Sequence, residues 1–229
     1  MRFLLAVILS IGLLASSVYA EEQTALKDQK DRLSYSMGVD FGNKLKQQSI
    51  DINADMFSKG LNDSLSGNRT LLAEEEIKSE MNTLMKDMMN KRVERIRKAA
   101  EENRKEGEAF LAENGKKEGV ITLPSGLQYK IIKEGTGKTP SIDDTVVTNY
   151  RGTLIDGTEF DSSYKRGKPA TFAVKGVIPG WTEALQLMKE GAKWQLFIPS
   201  SLAYGKRGAG SKIGPDKTLI FEIELISIK

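Results

Sequence analysis

Residues 150–163 read Tyr-Arg-Gly-Thr-Leu-Ile-Asp-Gly-Thr-Glu-Phe-Asp-Ser-Ser, and Thr145–Arg151, which leads into them, has the composition of a β-strand. Four further stretches share this composition and are separated by glycine and proline turns: Leu127–Ile132, Thr171–Val174, Lys193–Pro199 and Leu219–Ile228. Only Trp181–Met188, closed by Gly191, is typical of a helix. One short helix against about five antiparallel strands predicts an α+β domain with one face of its sheet covered.

The two halves of the chain differ in composition. All 6 prolines lie beyond residue 119, whereas six of the 8 methionines lie between residues 21 and 118. So sharp a change predicts a domain boundary near Gly115–Gly119. We therefore expect a helical domain at residues 21–71, a long connecting helix at residues 72–118 and a second domain at residues 119–229.

Two short helices are predicted before the long one. Apolar residues recur every four positions between Leu26 and Gln48, at Leu33, Met37, Phe41 and Leu45. A second helix begins after a cap at Asn53 or Asp51 and ends at Gly67.

A long helix is predicted between Leu72 and Asn114, where there is no proline and one glycine, Gly107. Such a helix is about 60 Å long. Its first half carries apolar residues at helical spacing, and its second half, Arg97–Glu108, is almost wholly charged. We expect it to pack at its start and then to cross solvent as a rod.

The N-terminal helices form a small core. Chains of fewer than about 80 residues usually need a partner's surface or another source of stability. Methionine is common at such interfaces because its side chain adapts to irregular surroundings. A homodimer through the N-terminal helices is therefore expected, and a monomeric three-helix cap with a methionine-filled core is the alternative.

The first twenty residues have the composition of a secretory signal peptide. Arg2 is followed by an apolar run, Phe3–Leu14, and by small residues ending at Ala20. The run is too short to span a bilayer. We expect cleavage after Ala20 and export of the protein; a buried N-terminal helix is the alternative.

The chain contains neither cysteine nor histidine. Disulfides, Ser–His and Cys–His catalysis and histidine-ligated metal sites are therefore excluded. The formal net charge is +3, and neither half of the chain has the dense one-sided charge of a nucleic-acid binder, so nucleic-acid binding is not expected. Either the protein is not an enzyme, or it catalyses a reaction that needs no strong general base, metal or cofactor.

The stretch Tyr150–Ser163 resembles the signature of the FKBP-type isomerases. Three further motifs follow in the family's order: Val177-Ile-Pro-Gly-Trp-Thr-Glu-Ala-Leu185, Ala203-Tyr-Gly205 and Ile213-Gly-Pro-Asp-Lys-Thr-Leu-Ile-Phe221. With its helical stem, its signal peptide and the segment Leu33-Ser-Tyr-Ser-Met-Gly-Val-Asp-Phe-Gly42, the whole chain is similar to the macrophage infectivity potentiator (Mip) proteins of intracellular bacteria.

The resemblance implies a peptidyl-prolyl cis–trans isomerase that acts on proline-containing, extended or unfolded polypeptides and binds macrolide-type FKBP inhibitors. It implies an N-terminal all-α dimerisation domain, a V-shaped homodimer with chaperone-like client binding, and a location in the periplasm or at the outer membrane or surface of a Gram-negative bacterium. Two alternatives remain open: a chaperone or adhesin whose cleft binds without turnover, and a helical rod capped by the C-terminal domain.

The chemistry of this reaction suits the composition. Rotation about an X–Pro bond is opposed by about 18–20 kcal/mol because the amide loses its resonance. Water stabilises the planar, charge-separated amide, so an apolar cleft favours the twisted form. The reaction thus needs desolvation and shape rather than a nucleophile.

The resemblance also implies roles for individual residues. Seven line the cleft, with Trp181 as its floor: Tyr150, Phe160, Phe172, Val177, Ile178, Trp181 and Phe221. Asp161 lies against the twisting carbonyl and is oriented by Arg166, while the Tyr204 hydroxyl and the Ile178 backbone N–H hold the substrate's carbonyl oxygens. Alternatively, the aromatic residues are ordinary core and Asp161 only begins a turn.

Two departures from the small FKBPs bear on substrate choice. The segment Lys206–Lys212, here called the flap, is basic and has no aromatic residue at its tip, which predicts a flexible flap. Ala170 stands where those proteins carry an aromatic residue, which predicts an opened wall.

Overall fold

The computed structural model describes residues 26–229, so the predicted signal peptide, residues 1–20, lies outside the described residues. The described residues divide into two compact units, one that ends at Glu74 and one from Glu75 to Lys229. Within the described part of the chain, no helix combines the length and the apolar character needed to cross a membrane.

The first unit contains two helices, α1 (Gln29–Gln47) and α2 (Ala54–Leu65). Asn53 caps α2, because its side-chain oxygen accepts hydrogen bonds from the backbone N–H groups of Asp55 and Met56. The rings of Phe41 and Phe57 stack with centroids 5.2 Å apart and join the two helices. Both helices lie where periodicity predicts them, yet neither buries an apolar side chain.

The long helix α3 (Glu74–Asn114) is continuous over 41 residues, as predicted. The prediction that its second half crosses solvent as a rod is wrong. One face of the helix from Asn103 to its end packs on the C-terminal part of the chain through residues spaced three or four apart: Asn103, Gly107, Phe110 and Asn114. Because this face contains two asparagines and a glycine, hydrophobic periodicity does not reveal it.

The C-terminal part of the described chain forms one seven-stranded antiparallel sheet, in the order β1-β2-β6-β7-β3-β4 with β5 on β3. The strands are β1 (Val120–Thr122), β2 (Gln128–Lys133), β3 (Thr145–Leu154), β4 (Glu159–Ser162), β5 (Ala170–Ala173), β6 (Lys193–Ile198) and β7 (Leu219–Ile228). The predicted α+β fold is confirmed. Sequence periodicity missed only the short strands β1 and β4.

The short helix α4 (Pro179–Leu185) covers one face of this sheet and begins with a proline, whose fixed φ suits a first helical turn. Trp181 and Leu185 of α4 join Leu196 and Ile223 of the central strands in one buried core. Burying such side chains contributes roughly 1.5–3 kcal/mol each.

The opposite face is also partly covered, contrary to the prediction. Phe197 alternates with the inward-facing residues of β6, yet it is buried because the Phe110 ring of α3 packs on it at 5.9 Å. Next to this contact, Gln128 donates to the Leu111 carbonyl oxygen (2.8 Å) and accepts from the Asn114 amide (3.0 Å). The end of α3 is therefore part of the C-terminal unit.

Candidate active site

An open cavity of about 740 Å³ lies between β3, β4, β7, α4 and the flap. Nine of the ten predicted site residues line it: Tyr150, Phe160, Asp161, Phe172, Val177, Ile178, Trp181, Tyr204 and Phe221. Arg166, the tenth, does not line the cavity but reaches Asp161 and Tyr150. The tertiary structure thus brings together residues spread over 72 positions, Tyr150 to Phe221.

Trp181 forms the buried floor of the cavity. It lies in the first turn of α4, and its ring meets three others edge to face, at 5.2 Å from Tyr150, 5.2 Å from Phe221 and 5.7 Å from Phe172. Edge-to-face pairs of this kind contribute about 0.5–1.5 kcal/mol each beyond area burial. Four rings that hold one another give the cavity an apolar floor of fixed shape.

Gly152 allows two of the cavity's rings to meet above the sheet. It lies on β3 between Asp161 on β4 and Phe221 on β7, and a Cβ there would lie 2.6 Å from the Phe160 ring and 2.7 Å from the Phe221 ring. The two rings meet edge to face at 5.4 Å over this position. No motif or spacing in the sequence predicted this role of Gly152, although a glycine inside a strand often marks a close approach.

Asp161, Tyr150 and Arg166 form a closed group of hydrogen bonds at the edge of the cavity. The Tyr150 hydroxyl donates to Asp161 Oδ2 (2.5 Å) and accepts from Arg166 Nη2 (2.6 Å). Arg166 Nη1 donates to Asp161 Oδ1, which also accepts from the Ser162 backbone N–H at 2.8 Å. The Arg166 guanidinium further lies 5.3 Å from the centre of the Tyr150 ring.

The hydrogen bonds and charges within this group shift the pKa values of Asp161 and Tyr150. Partial burial raises the pKa of Asp161, but hydrogen bonds from Tyr150 and Arg166 and the guanidinium charge outweigh it and hold that pKa below its usual value. Burial and then the Asp161 carboxylate raise the pKa of Tyr150. At neutral pH Asp161 is therefore an anion, and its side chain is 44% exposed.

Two polar groups at the cavity have no partner among the described residues. Ile178 immediately precedes α4 in an extended conformation, and its backbone N–H meets no acceptor there. The Tyr204 hydroxyl makes no hydrogen bond within residues 26–229, and this side chain is exposed. Both groups are available to a ligand.

The flap forms one wall of the cavity, although no flap residue is among the ten predicted site residues. Ala209, Gly210, Ser211, Lys212 and the following Ile213 line the cavity, as does Gly176 before α4. Ala209 and Ile213 exchange two backbone hydrogen bonds, of 2.8 and 3.2 Å. The motif Ile213–Phe221 was the sequence feature that could have indicated this wall. Ala170 is not among the lining residues.

Two family models match the chain. The model described as "FKBP-type peptidyl-prolyl cis-trans isomerase" matches residues 136–226, and that described as "Domain amino terminal to FKBP-type peptidyl-prolyl isomerase" matches residues 30–131. The first match contains the cavity, and the second covers α2, α3 and all of α1 except Gln29.

Curated relatives match over the full length. The chain is 52% identical to the "Outer membrane protein MIP" of Legionella longbeachae, over the whole chain and 98% of that protein. It is 45% identical to the "Peptidyl-prolyl cis-trans isomerase Mip" of Coxiella burnetii, over the whole chain and 99% of that protein.

A solved structure has the same architecture. The crystal structure of FkpA from Escherichia coli matches with a TM-score of 0.75 and 38% identity, over 90% of this chain and 99% of that one. These similarities favour an enzyme over a non-catalytic chaperone, adhesin or rod. The expected resemblance is thereby confirmed: the chain belongs to the family of FKBP-type peptidyl-prolyl cis–trans isomerases, within which it is similar to the Mip proteins.

Proposed function

We propose that the X–Pro bond rotates in the aromatic cavity, with the proline ring seated on Trp181. The proposal rests on one observation: aromatic rings that hold one another form an apolar floor beside the hydrogen-bonded Asp161 carboxylate, whose lowered pKa makes it a poor base. Tyr150, Arg166 and Ser162 already donate to the Asp161 oxygens. Such a site favours a reaction without proton transfer.

The Asp161 anion acts on the charge of the substrate amide. A planar amide carries negative charge on its carbonyl oxygen, and this charge diminishes as the C–N bond twists. A fixed carboxylate beside that carbonyl repels the planar form more than the twisted one, so it lowers the barrier by differential stabilisation. Arg166 and Tyr150 keep the carboxylate ionised and in place.

Ile178 and Tyr204 bind the substrate backbone. Their unpartnered N–H and hydroxyl suit hydrogen bonds to two carbonyl oxygens of an extended peptide, which would hold the chain while one bond rotates. The same apolar cavity suits macrolide-type FKBP inhibitors, which would compete with the peptide.

A proline-isomerisation assay on a short peptide tests this assignment. Asp161→Ala is expected to lower kcat/KM roughly 10- to 50-fold, equivalent to about 1.4–2.3 kcal/mol of transition-state stabilisation. Tyr204→Phe, which removes one hydrogen bond, is expected to lower it about 3- to 10-fold.

Each variant has a matched control outside the cavity. Asp143→Ala removes an exposed carboxylate that pairs with Lys175, and Tyr164→Phe removes the hydroxyl of an exposed tyrosine. Neither control is expected to change the rate. If Asp161→Ala and Tyr204→Phe both keep full activity with their folding intact, the site assignment is wrong.

The N-terminal helices support a homodimer as the working form. Large apolar side chains on α1 and α2 are between 42% and 78% exposed: Leu33, Tyr35, Met37, Val39, Phe41, Met56, Phe57, Leu61 and Leu65. The first half of α3 adds Ile77, Met81, Met85, Met89 and Val93, which are also exposed. So large an apolar surface is unusual on a monomer and favours pairing with a second copy.

Export to the periplasm or outer membrane is the proposed location. It rests on the signal-peptide composition of residues 1–20 and on the similarity to a protein named for the outer membrane. Mass spectrometry of the protein from a periplasmic extract is expected to find Glu21 as its first residue. Retention of residues 1–20 in the mature protein would contradict this.

A further inference from the structure

Helix α3 binds the chain directly after the flap. The Asn103 side-chain amide donates to the Pro215 carbonyl oxygen at 2.8 Å, in a partly buried contact between residues 112 positions apart. Because a carbonyl oxygen only accepts, the amide nitrogen of Asn103 must be the donor. This hydrogen bond joins the connecting helix to the segment that forms one wall of the cavity.

The peptide group between Pro215 and Asp216 is held on both sides. Asn103 binds its carbonyl oxygen, and its N–H donates to the Gly205 carbonyl oxygen at 2.9 Å. Asp216 has a φ of +53°, a left-handed conformation that costs a residue with a side chain roughly 1–2 kcal/mol. The two hydrogen bonds offset this cost and fix the orientation of the peptide group.

This peptide group closes the base of the flap. Gly205, which accepts its N–H, immediately precedes the flap and follows Tyr204, while Ile213, at the flap's other end, lines the cavity. Asn103 is therefore connected with Tyr204 through two hydrogen bonds, the peptide group between Pro215 and Asp216, and the peptide bond between Gly205 and Tyr204.

Neighbouring contacts make the attachment a small interface rather than a single bond. One turn along α3, Glu106 pairs with Lys217 at 3.1 Å. Gly107 follows it and contacts Thr218 so closely that a Cβ would lie 3.2 Å from the Thr218 Cβ. Residues 215, 217 and 218 are thus each held by α3.

We infer that Asn103 is a positioning residue of the isomerase: through the Pro215 carbonyl it holds the base of the flap, and thereby the flap wall and Tyr204, in the geometry that receives the peptide. The connecting helix is then part of the scaffold of the cavity as well as a link to the N-terminal unit. This inference rests on the proposed function of the cavity, since it assigns Asn103 an effect on substrate binding there.

Full-length protein carrying Asn103→Ala tests the inference, with Asn90→Ala as the matched control. Asn90 is an exposed asparagine on the same helix, so the same substitution changes helix propensity equally without touching the flap. The measurements are kcat and KM on a proline peptide, and hydrogen exchange of the Ala209, Ile213, Asp216 and Leu196 amides by NMR. Leu196 lies in the buried core of β6 and reports global opening.

Loss of this one hydrogen bond is expected to speed exchange at Asp216 and in the Ala209–Ile213 bridge about 3- to 10-fold and to raise KM by a similar factor. Exchange at Leu196 and kcat are expected to stay within about twofold of the parent. Asn103→Gln retains an amide donor and is expected to recover at least part of both effects. Asn103→Asp has nearly the same shape but, at neutral pH, no donor, and it is expected to behave like Asn103→Ala. The aspartate variant therefore provides a second test if the alanine variant folds poorly.

The inference is overturned if flap exchange or KM is unchanged in both the alanine and aspartate variants, or if exchange at Leu196 rises as much as exchange at Asp216. Failure of the proposed function is distinguishable from these outcomes. Unchanged activity in Asp161→Ala would refute the catalytic assignment of the cavity, whereas the exchange of Asp216 would still report whether Asn103 holds the flap base.

Discussion

The Tyr150 hydroxyl donates to Asp161 Oδ2 at 2.5 Å while it accepts from Arg166 Nη2 at 2.6 Å. This arrangement keeps a carboxylate ionised and fixed in place at the edge of an apolar cavity. Because every donor is already in place, no reorganisation is needed when the substrate amide twists. In the proposed mechanism, a chain without histidine or cysteine thereby places a fixed charge beside the bond that rotates.

The first prediction concerns the dependence of stability on pH. The folded-state pKa of Asp161 lies below its ordinary value of 3.8, so the stabilisation by its ion group is complete above that value and is lost as the pH falls through the folded-state pKa. We expect the melting temperature of the parent to exceed that of Asp161→Asn at pH 6 and the difference to shrink below pH 3.8. The effect should be modest because the pair is half exposed.

The matched control for this experiment is Asp143→Asn, which alters an exposed ion pair with Lys175 outside the cavity. Its melting temperature is expected to stay close to that of the parent over the same pH range. A difference between parent and Asp161→Asn that grows on acidification would show that the sign of the pKa shift is wrong.

The second prediction concerns the attachment of α3 to the sheet. Gly107→Ala places a Cβ that overlaps the Thr218 hydroxyl, so we expect a net loss of about 1–3 kcal/mol in the free energy of unfolding, despite the better helix propensity of alanine. Gly42→Ala, at a helical glycine on α1 with open space around it, is expected to be neutral or stabilising by up to about 1 kcal/mol. Denaturant unfolding followed by circular dichroism measures both, and equal effects of the two substitutions would argue against the close contact.

The third prediction concerns oligomeric state. Met37→Glu introduces a charge into the exposed apolar stripe of α1, and we expect it to convert a dimer to a monomer in multi-angle light scattering at low micromolar protein concentration. Asn43→Glu adds the same charge at an exposed polar position of the same helix and is expected to leave the dimer intact. A parent that is itself monomeric, or a Met37→Glu variant that remains dimeric, would contradict pairing through this stripe.

Much of the C-terminal domain was predictable because its signals are local. Alternating apolar residues mark the long strands, such as Leu219–Ile228, and glycine and proline mark the turns between elements. The short helix α4 likewise begins at a proline, Pro179. The short strands β1 and β4 escaped because three or four residues do not establish a period. The order of the site motifs predicted which side chains would meet at the cavity.

The sequence by itself determined the residue types of the site, the absence of acid–base side chains such as histidine, and the positions of the main helices and strands. Only the tertiary structure decided that Gly152 makes room for two rings, that the end of α3 packs on the sheet, and that Asn103 reaches Pro215. The physical reason for this difference is that the spacing of apolar residues in a sequence shows only which face of a single helix or strand is apolar. Contacts between residues 112 positions apart depend instead on close approach and on hydrogen bonds that polar and glycine residues make once the chain has folded.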